Sequence, residues 1–155
     1  MKNNEIYIVS EALNRVDLKG MSGRTKLKAI RVIAALDRAR TAYGQIVSKA
    51  REKLRPEGYD PKAYAALTEE GRKDTANPVV KAHDDWEKAV LETVRPEWEE
   101  TEVGDIPAFT EEEFVELLDK SDVLGSVTKS VLPEGGEVYF DGRLAGRIIL
   151  EQLVK

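Results

Sequence analysis

The feature that most constrains this chain is a helical pattern of apolar residues that continues without a break over residues 22–55. Apolar side chains recur at seven-residue spacing in two neighbouring rows: Ala29, Leu36, Tyr43 and Ala50, then Val32, Ala39 and Ile46. That spacing is typical of one face of an amphipathic helix. Ser22 is a suitable N-cap, and Pro56 ends the pattern. A helix over this range would be about 50 Å long, so a second helix must cover its apolar face.

The segment that best suits this role is a second amphipathic helix over residues 78–95. Asn77-Pro78 has the cap-then-proline pattern that begins a helix, and Pro96 is expected to end or kink it near residue 95. The two helices are predicted to pack as an antiparallel pair. Asp60-Pro61 repeats the start signal for a short helix. Thr110 and Glu113 form a capping box for another short helix, with Phe109 and Phe114 at the positions of a hydrophobic staple.

These patterns predict a mainly α protein, with residues 1–155 forming a single helical domain and residues 104–108 a linker. Two short β-favouring runs, 6–9 and 138–140, are predicted to pair as a minor two-stranded element that ties the chain ends together. Residues 133–136 are predicted to form a turn. For residues 143–154 two predictions stay open, a closing helix from Leu144 and a strand of a hairpin turned by Asp141-Gly142.

The formal net charge of −5 conceals two halves of opposite sign. Residues 1–55 form a basic half with 13 Lys and Arg against 5 Asp and Glu, and residues 56–155 form an acidic half with 11 against 24. Blocks of opposite sign can attract each other within one chain or between chains, and either block can bind a charged partner.

The composition argues against an enzyme. The chain has no cysteine and one histidine, which excludes thiol nucleophiles, thiolate zinc sites and clusters of histidine ligands. His83 has only neighbouring carboxylates beside it and is predicted to be a packed or surface residue. The segment 20–26 lacks the spacing of a phosphate loop and is predicted to begin a helix, whose free backbone amides would suit an anion. We predict no catalytic residues, no metal and no cofactor.

The segment Leu13-Asn14-Arg15-Val16-Asp17-Leu18-Lys19-Gly20, followed by Ser22-Gly23-Arg24-Thr25-Lys26-Leu27, resembles the opening of a family of short uncharacterised proteins encoded by tailed phages and prophages. The resemblance lies mainly in residues 13–55. It implies a small helical protein from a mobile element that acts by binding something, and it supplies no catalytic residues.

The expected function is therefore a non-enzymatic protein-interaction or assembly protein that binds a protein partner or a second copy of itself. The first alternative is an acidic inhibitor that mimics nucleic acid and blocks a host defence nuclease. The second alternative is nucleic-acid binding by the basic helix 22–55.

No stretch approaches the ~18–20 apolar residues of a membrane span. We therefore expect a cytoplasmic protein, located in the host cell if it is encoded by a phage. The candidate acidic residues are Glu97, Glu99, Glu100, Glu102, Glu111 and Glu112. The candidate basic residues are Arg24, Lys26, Lys28, Arg31, Arg38 and Arg40.

Overall fold

Helices dominate the fold, which is described here for all 155 residues from a computed structural model. Six α-helices, two 3₁₀ turns (71–73 and 123–125) and one two-stranded sheet follow one another along the chain. Their bounds are α1 Asn3–Arg15, α2 Gly23–Leu54, α3 Pro61–Ala65, α4 Pro78–Glu99, α5 Glu111–Lys120, β1 Val127–Val131, β2 Glu137–Asp141 and α6 Gly142–Gln152. The mainly α prediction is confirmed. No helix is both long enough and apolar enough to cross a bilayer.

The chain divides into two compact units. Unit 1 comprises Met1–Thr41 and Thr101–Lys155, and unit 2 comprises Ala42–Glu100. The long helix α2 confirms the prediction over 22–55 and contributes residues to both units. The division by charge at residue 55 therefore does not coincide with either boundary between the units.

Unit 1 is built around one hydrophobic core. Its fully buried side chains come from α1, from the first part of α2, from α5 and from α6, and they include Ile6, Leu13, Leu36, Leu117 and Ile149. The predicted capping box is present, since the Thr110 hydroxyl accepts from the Glu113 N–H and the Glu113 carboxylate accepts from the Thr110 N–H. Phe109 and Phe114, the staple pair, are both buried.

In unit 2, residues 42–54 of α2 and helix α4 run antiparallel, as predicted. The Tyr43 and Trp98 rings lie 5.0 Å apart between centroids, and Arg51 pairs with Glu87. The indole N–H of Trp86 donates to the Arg51 carbonyl at 3.0 Å. Ring contacts, an ion pair and a side-chain hydrogen bond thus hold the two helices together.

Helix α4 continues past its predicted end at residue 95 and stops at Glu99, so Pro96 lies inside it. The proline removes one backbone donor, but only the last turn follows it. The Glu100 N–H donates to the Pro96 carbonyl at 2.9 Å, and Trp98 packs on Tyr43 within unit 2. These contacts account for the extra turn.

The predicted pairing of residues 6–9 with 138–140 is wrong. Residues 6–9 lie in α1, where Ile6, Val9 and Leu13 form a buried row at helical spacing. Residues 138–140 lie in β2, whose antiparallel partner is β1 over 127–131. The predicted turn at 133–136 connects these two strands.

The chain end is helical. Helix α6 begins at Gly142 with the Asp141 carboxylate accepting from the Arg143 N–H, which supports the helical alternative for 143–154. Residues 104–108 form no helix or strand. On either side of them, the Val103 N–H donates to the Met1 carbonyl and the Phe109 N–H to the Leu153 carbonyl.

Candidate protein-interaction surfaces

Two of the six candidate basic residues, both near the start of α2, contact α5 or the segment before it inside unit 1. Arg24 Nε lies 3.3 Å from Glu113 Oε1, and that carboxylate is almost completely buried. Lys28 Nζ donates to the Ala108 carbonyl at 3.0 Å. These contacts pair part of the basic half with part of the acidic half within one chain.

A carboxylate of the chain itself occupies the start of α2, where free amides suit an anion. Glu116 of α5 accepts hydrogen bonds from the Ser22 N–H, the Ser22 hydroxyl (2.8 Å) and the Thr25 hydroxyl. The hydrogen bond from Thr25, followed by those from Ser22, lowers the pKa of Glu116 below its ordinary value. The expected anion at this helix start is thus an internal glutamate.

The other basic residues differ in their surroundings. Arg40 donates to the Ser10 hydroxyl at 3.0 Å, and its guanidinium lies 4.6 Å from the centroid of the Tyr7 ring. Three of them form no ion pair and no side-chain hydrogen bond: Lys26, which is half-buried, and Arg31 and Arg38, which are exposed. Arg31 and Arg38 are therefore the two candidate basic residues that are both exposed and without an ion pair in the chain.

Beside these arginines, α2 presents an apolar strip to solvent. Leu27 is 49% exposed and Ile30 is 56% exposed, and Ala34 is exposed as well. Their spacing of three and four residues places them on one face of the helix, opposite the buried row of Ala29, Val32 and Leu36. We name this surface the basic strip: Leu27, Ile30 and Ala34 with Arg31 and Arg38.

The six candidate acidic residues lie in both units. Glu97, Glu99 and Glu100 are at the end of α4 in unit 2, whereas Glu102, Glu111 and Glu112 belong to unit 1. Glu102 accepts a hydrogen bond from the N-terminal amine at 2.8 Å, which lowers the pKa of its carboxyl group. Only Glu111 and Glu112 line a common cleft, at the start of α5.

Helix α5 has an exposed face in which apolar residues lie among acidic ones. Val115 is 51% exposed and Leu118 is 42% exposed. Three exposed carboxylates share this face at helical spacing: Glu111, Glu112 and Asp119. We name these five residues the acidic strip. Glu111 and Glu112, in the first turn of α5, line an open cleft of about 440 Å³. The other residues that line it are Arg24, Thr110 and Lys155.

The β1–β2 hairpin was not predicted, and it is the most exposed element of the fold. Every residue of the two strands is exposed except Phe140, which is half-buried against the core and carries the Arg15 guanidinium 4.1 Å from its ring centroid. Val131 is 69% exposed and Tyr139 is 62% exposed. The predicted turn between two short runs rich in valine is the sequence signal that identifies such a hairpin.

Both outer edges of the hairpin have unpaired backbone groups. The sheet contains only two strands, and Lys129 lies opposite Tyr139. Leu132 donates to the Gly136 carbonyl and Gly142 to the Ser126 carbonyl. Because bonded and non-bonded pairs alternate in antiparallel sheets, the N–H and C=O groups of Lys129 and Tyr139 point outward.

His83 belongs to an aromatic cluster in unit 2, which matches the prediction of a packed or surface residue. The Tyr59 hydroxyl lies 2.8 Å from His83 Nδ1, and the Tyr64 ring stacks on the imidazole at 3.6 Å between centroids. Burial is the main cause of a raised pKa at Tyr59. No group of three or more histidine, aspartate or glutamate side chains in the structure is arranged to hold a metal ion.

Comparison with models of protein families, with curated proteins and with solved structures finds no match to this chain.

Proposed function

We propose that this chain is a non-enzymatic protein-interaction or assembly protein that binds an extended segment of a partner along the β1–β2 hairpin. The resemblance at residues 13–55 implies a phage or other mobile element as its source. The observation that carries the proposal is the exposure of both strands and both edges of the hairpin, with large apolar side chains among the exposed residues.

An isolated hairpin is only marginally stable in water. Open strand edges tend to pair with other chains. A partner strand gains backbone hydrogen bonds at such an edge and side-chain contacts at alternate positions. Val127, Lys129 and Val131 lie on one face of β1, so that two apolar side chains flank one charge there.

The hairpin is also held in place before any partner arrives. Phe140 packs against the core of unit 1, and Lys129 Nζ lies 2.6 Å from Glu137 Oε1 across the two strands. Because the edge is already extended, a partner strand would bear less of the entropic cost of ordering it.

The test is a selection of displayed peptides against the full chain, followed by affinity measurement on two variants. Lys129→Pro removes the outward N–H of β1, whereas Lys129→Ala removes the same side chain and keeps that N–H. Peptides that bind the wild type are expected to bind Lys129→Ala with similar affinity and Lys129→Pro at least about tenfold more weakly.

A test on the peptide covers the case in which Lys129→Pro disturbs the hairpin. N-methylation of successive peptide amides should weaken binding at every second position, since only alternate amides of an added strand face the edge. If no peptide is selected, or if methylation has no alternating effect, strand addition at the hairpin is wrong.

The two alternatives stay predictions. The acidic inhibitor would lose partner binding when Glu97, Glu99, Glu100 and Glu102 become Gln. The nucleic-acid binder would shift DNA or RNA in a gel at low salt, and the shift would disappear as salt rises.

A further inference from the structure

We infer that two copies of this chain associate through the two strips of unit 1, with the acidic strip of one copy on the basic strip of the other. The partner at this surface is a second copy of the same chain. The inference uses other residues than the hairpin, so it does not depend on the proposed strand addition.

The first step is the match of the two surfaces in charge. On the basic strip, apolar Leu27 and Ile30 lie beside Arg31 and Arg38, which are exposed and form no ion pair within the chain. From Gly23 to Arg38 the only acidic residue is Asp37. On the acidic strip, Val115 and Leu118 lie among carboxylates, and no basic residue occurs between Glu111 and Asp119.

The second step is the match in length. Ala34 follows Leu27 by seven helical steps and Asp119 follows Glu111 by eight, so the apolar part of the basic strip and the acidic strip are each about 10–12 Å long at the helical rise. Two helices packed side by side can bury strips of this length against each other, with the apolar residues in the middle and the charges at the rim.

The contacts between α2 and α5 within one chain indicate why the occupant is another copy. Within one chain, α2 and α5 already use the same chemistry where they meet, through Arg24 with Glu113 and through Glu116 at the start of α2. The two strips lie on the remaining faces of these helices, and both stay exposed in the single chain. A second copy supplies the opposite strip for each of them.

The test compares the self-association of the full chain with that of charge-reversal variants, by sedimentation velocity over a range of concentrations. The wild-type mass should increase with concentration at low salt and return to that of a monomer at high salt, because screening shortens the reach of rim charges. Arg31→Glu/Arg38→Glu should raise the apparent dissociation constant at least about tenfold. The control is Lys49→Glu/Lys53→Glu, which changes the net charge by the same amount at two residues of α2 that belong to unit 2. It should leave the apparent dissociation constant unchanged.

The decisive measurement is a mixture of two reversed variants. Arg31→Glu/Arg38→Glu and Glu112→Lys/Asp119→Lys should each associate poorly alone and associate with each other when mixed. A wild type that stays monomeric at every salt concentration, or a mixture that does not associate, would overturn the inference. So would a basic strip that binds DNA or RNA while the protein stays monomeric.

Discussion

At the residue scale, two glycines determine how closely α6 can approach the turn that precedes β1. A Cβ atom at Gly142 would lie 1.6 Å from the Val123 carbonyl oxygen, and one at Gly146 would lie 2.9 Å from the Leu124 carbonyl oxygen. Both glycines are buried. Backbone therefore packs on backbone at this contact, and only residues without a side chain allow it.

Gly142→Ala is expected to destabilise the protein by at least about 2 kcal/mol, because the new methyl group must displace the backbone at Val123. Chemical denaturation followed by circular dichroism measures the change. Gly125→Ala is the control, since a Cβ atom there meets nothing within 4 Å, and it should stay within about 0.5 kcal/mol of the wild type. Equal effects of the two substitutions would contradict the packing argument.

The sequence predicts single residues well when their partners are close along the chain. Asp60 and Asn77 both accept hydrogen bonds from the second residue after them, as their cap-then-proline patterns predict. Glu116 bonds to Ser22, 94 residues away, and no local pattern indicates that pairing. The contact is decided by how α5 packs on unit 1.

At the element scale, the error over residues 6–9 shows why short apolar runs are ambiguous. Four consecutive apolar residues suit a strand, but they also suit one turn of a helix if the next buried residues follow at helical spacing. Ala12 and Leu13 supply that continuation, and both are buried. The hairpin was missed for the opposite reason, because its strands have no buried face to leave an alternating pattern.

Pro96 yields an element-scale prediction. Its ring cannot donate to the preceding turn of α4, yet the helix continues to Glu99. Pro96→Ala restores that donor and should stabilise unit 2 by about 1–3 kcal/mol. Thermal unfolding followed by circular dichroism measures it.

A matched control is Pro78→Ala, at the first position of the same helix, where no helical N–H bond is lost. That substitution should have a much smaller effect. A Pro96→Ala protein that unfolds at the wild-type temperature or below it would show that the proline is already accommodated without cost.

At the scale of the whole molecule, the charge pattern and the packing divide the chain differently. The charge changes sign near residue 55, whereas unit 2 is an insertion of residues 42–100 between the two segments of unit 1. The two segments of unit 1 lie far apart in sequence. Local periodicity identified most helices, but it contains no information on which distant segments share a core.

Paired carboxylates in both units give the whole molecule an acid-dependent stability. Hydrogen bonds from Arg51 lower the pKa of Glu87 in unit 2, and those from Thr25 and Ser22 lower the pKa of Glu116 in unit 1, from an ordinary value of 4.5. A carboxyl group whose pKa is lower in the folded state contributes stability that is complete above its unfolded pKa. That contribution is lost as the pH falls through the lowered folded value.

We therefore expect Glu87→Gln/Glu116→Gln to be less stable than the wild type at neutral pH, with the difference disappearing as the pH falls below about 4.5. Denaturant titrations at several pH values measure it. The control is Glu57→Gln/Glu134→Gln, which removes one exposed carboxylate from each unit. Neither of these carboxylates makes a hydrogen bond or an ion pair. If the stability difference between Glu87→Gln/Glu116→Gln and the wild type stayed constant with pH, the glutamines would be disturbing packing. Only the loss of charged hydrogen-bond acceptors makes the difference follow the titration of the wild-type carboxylates.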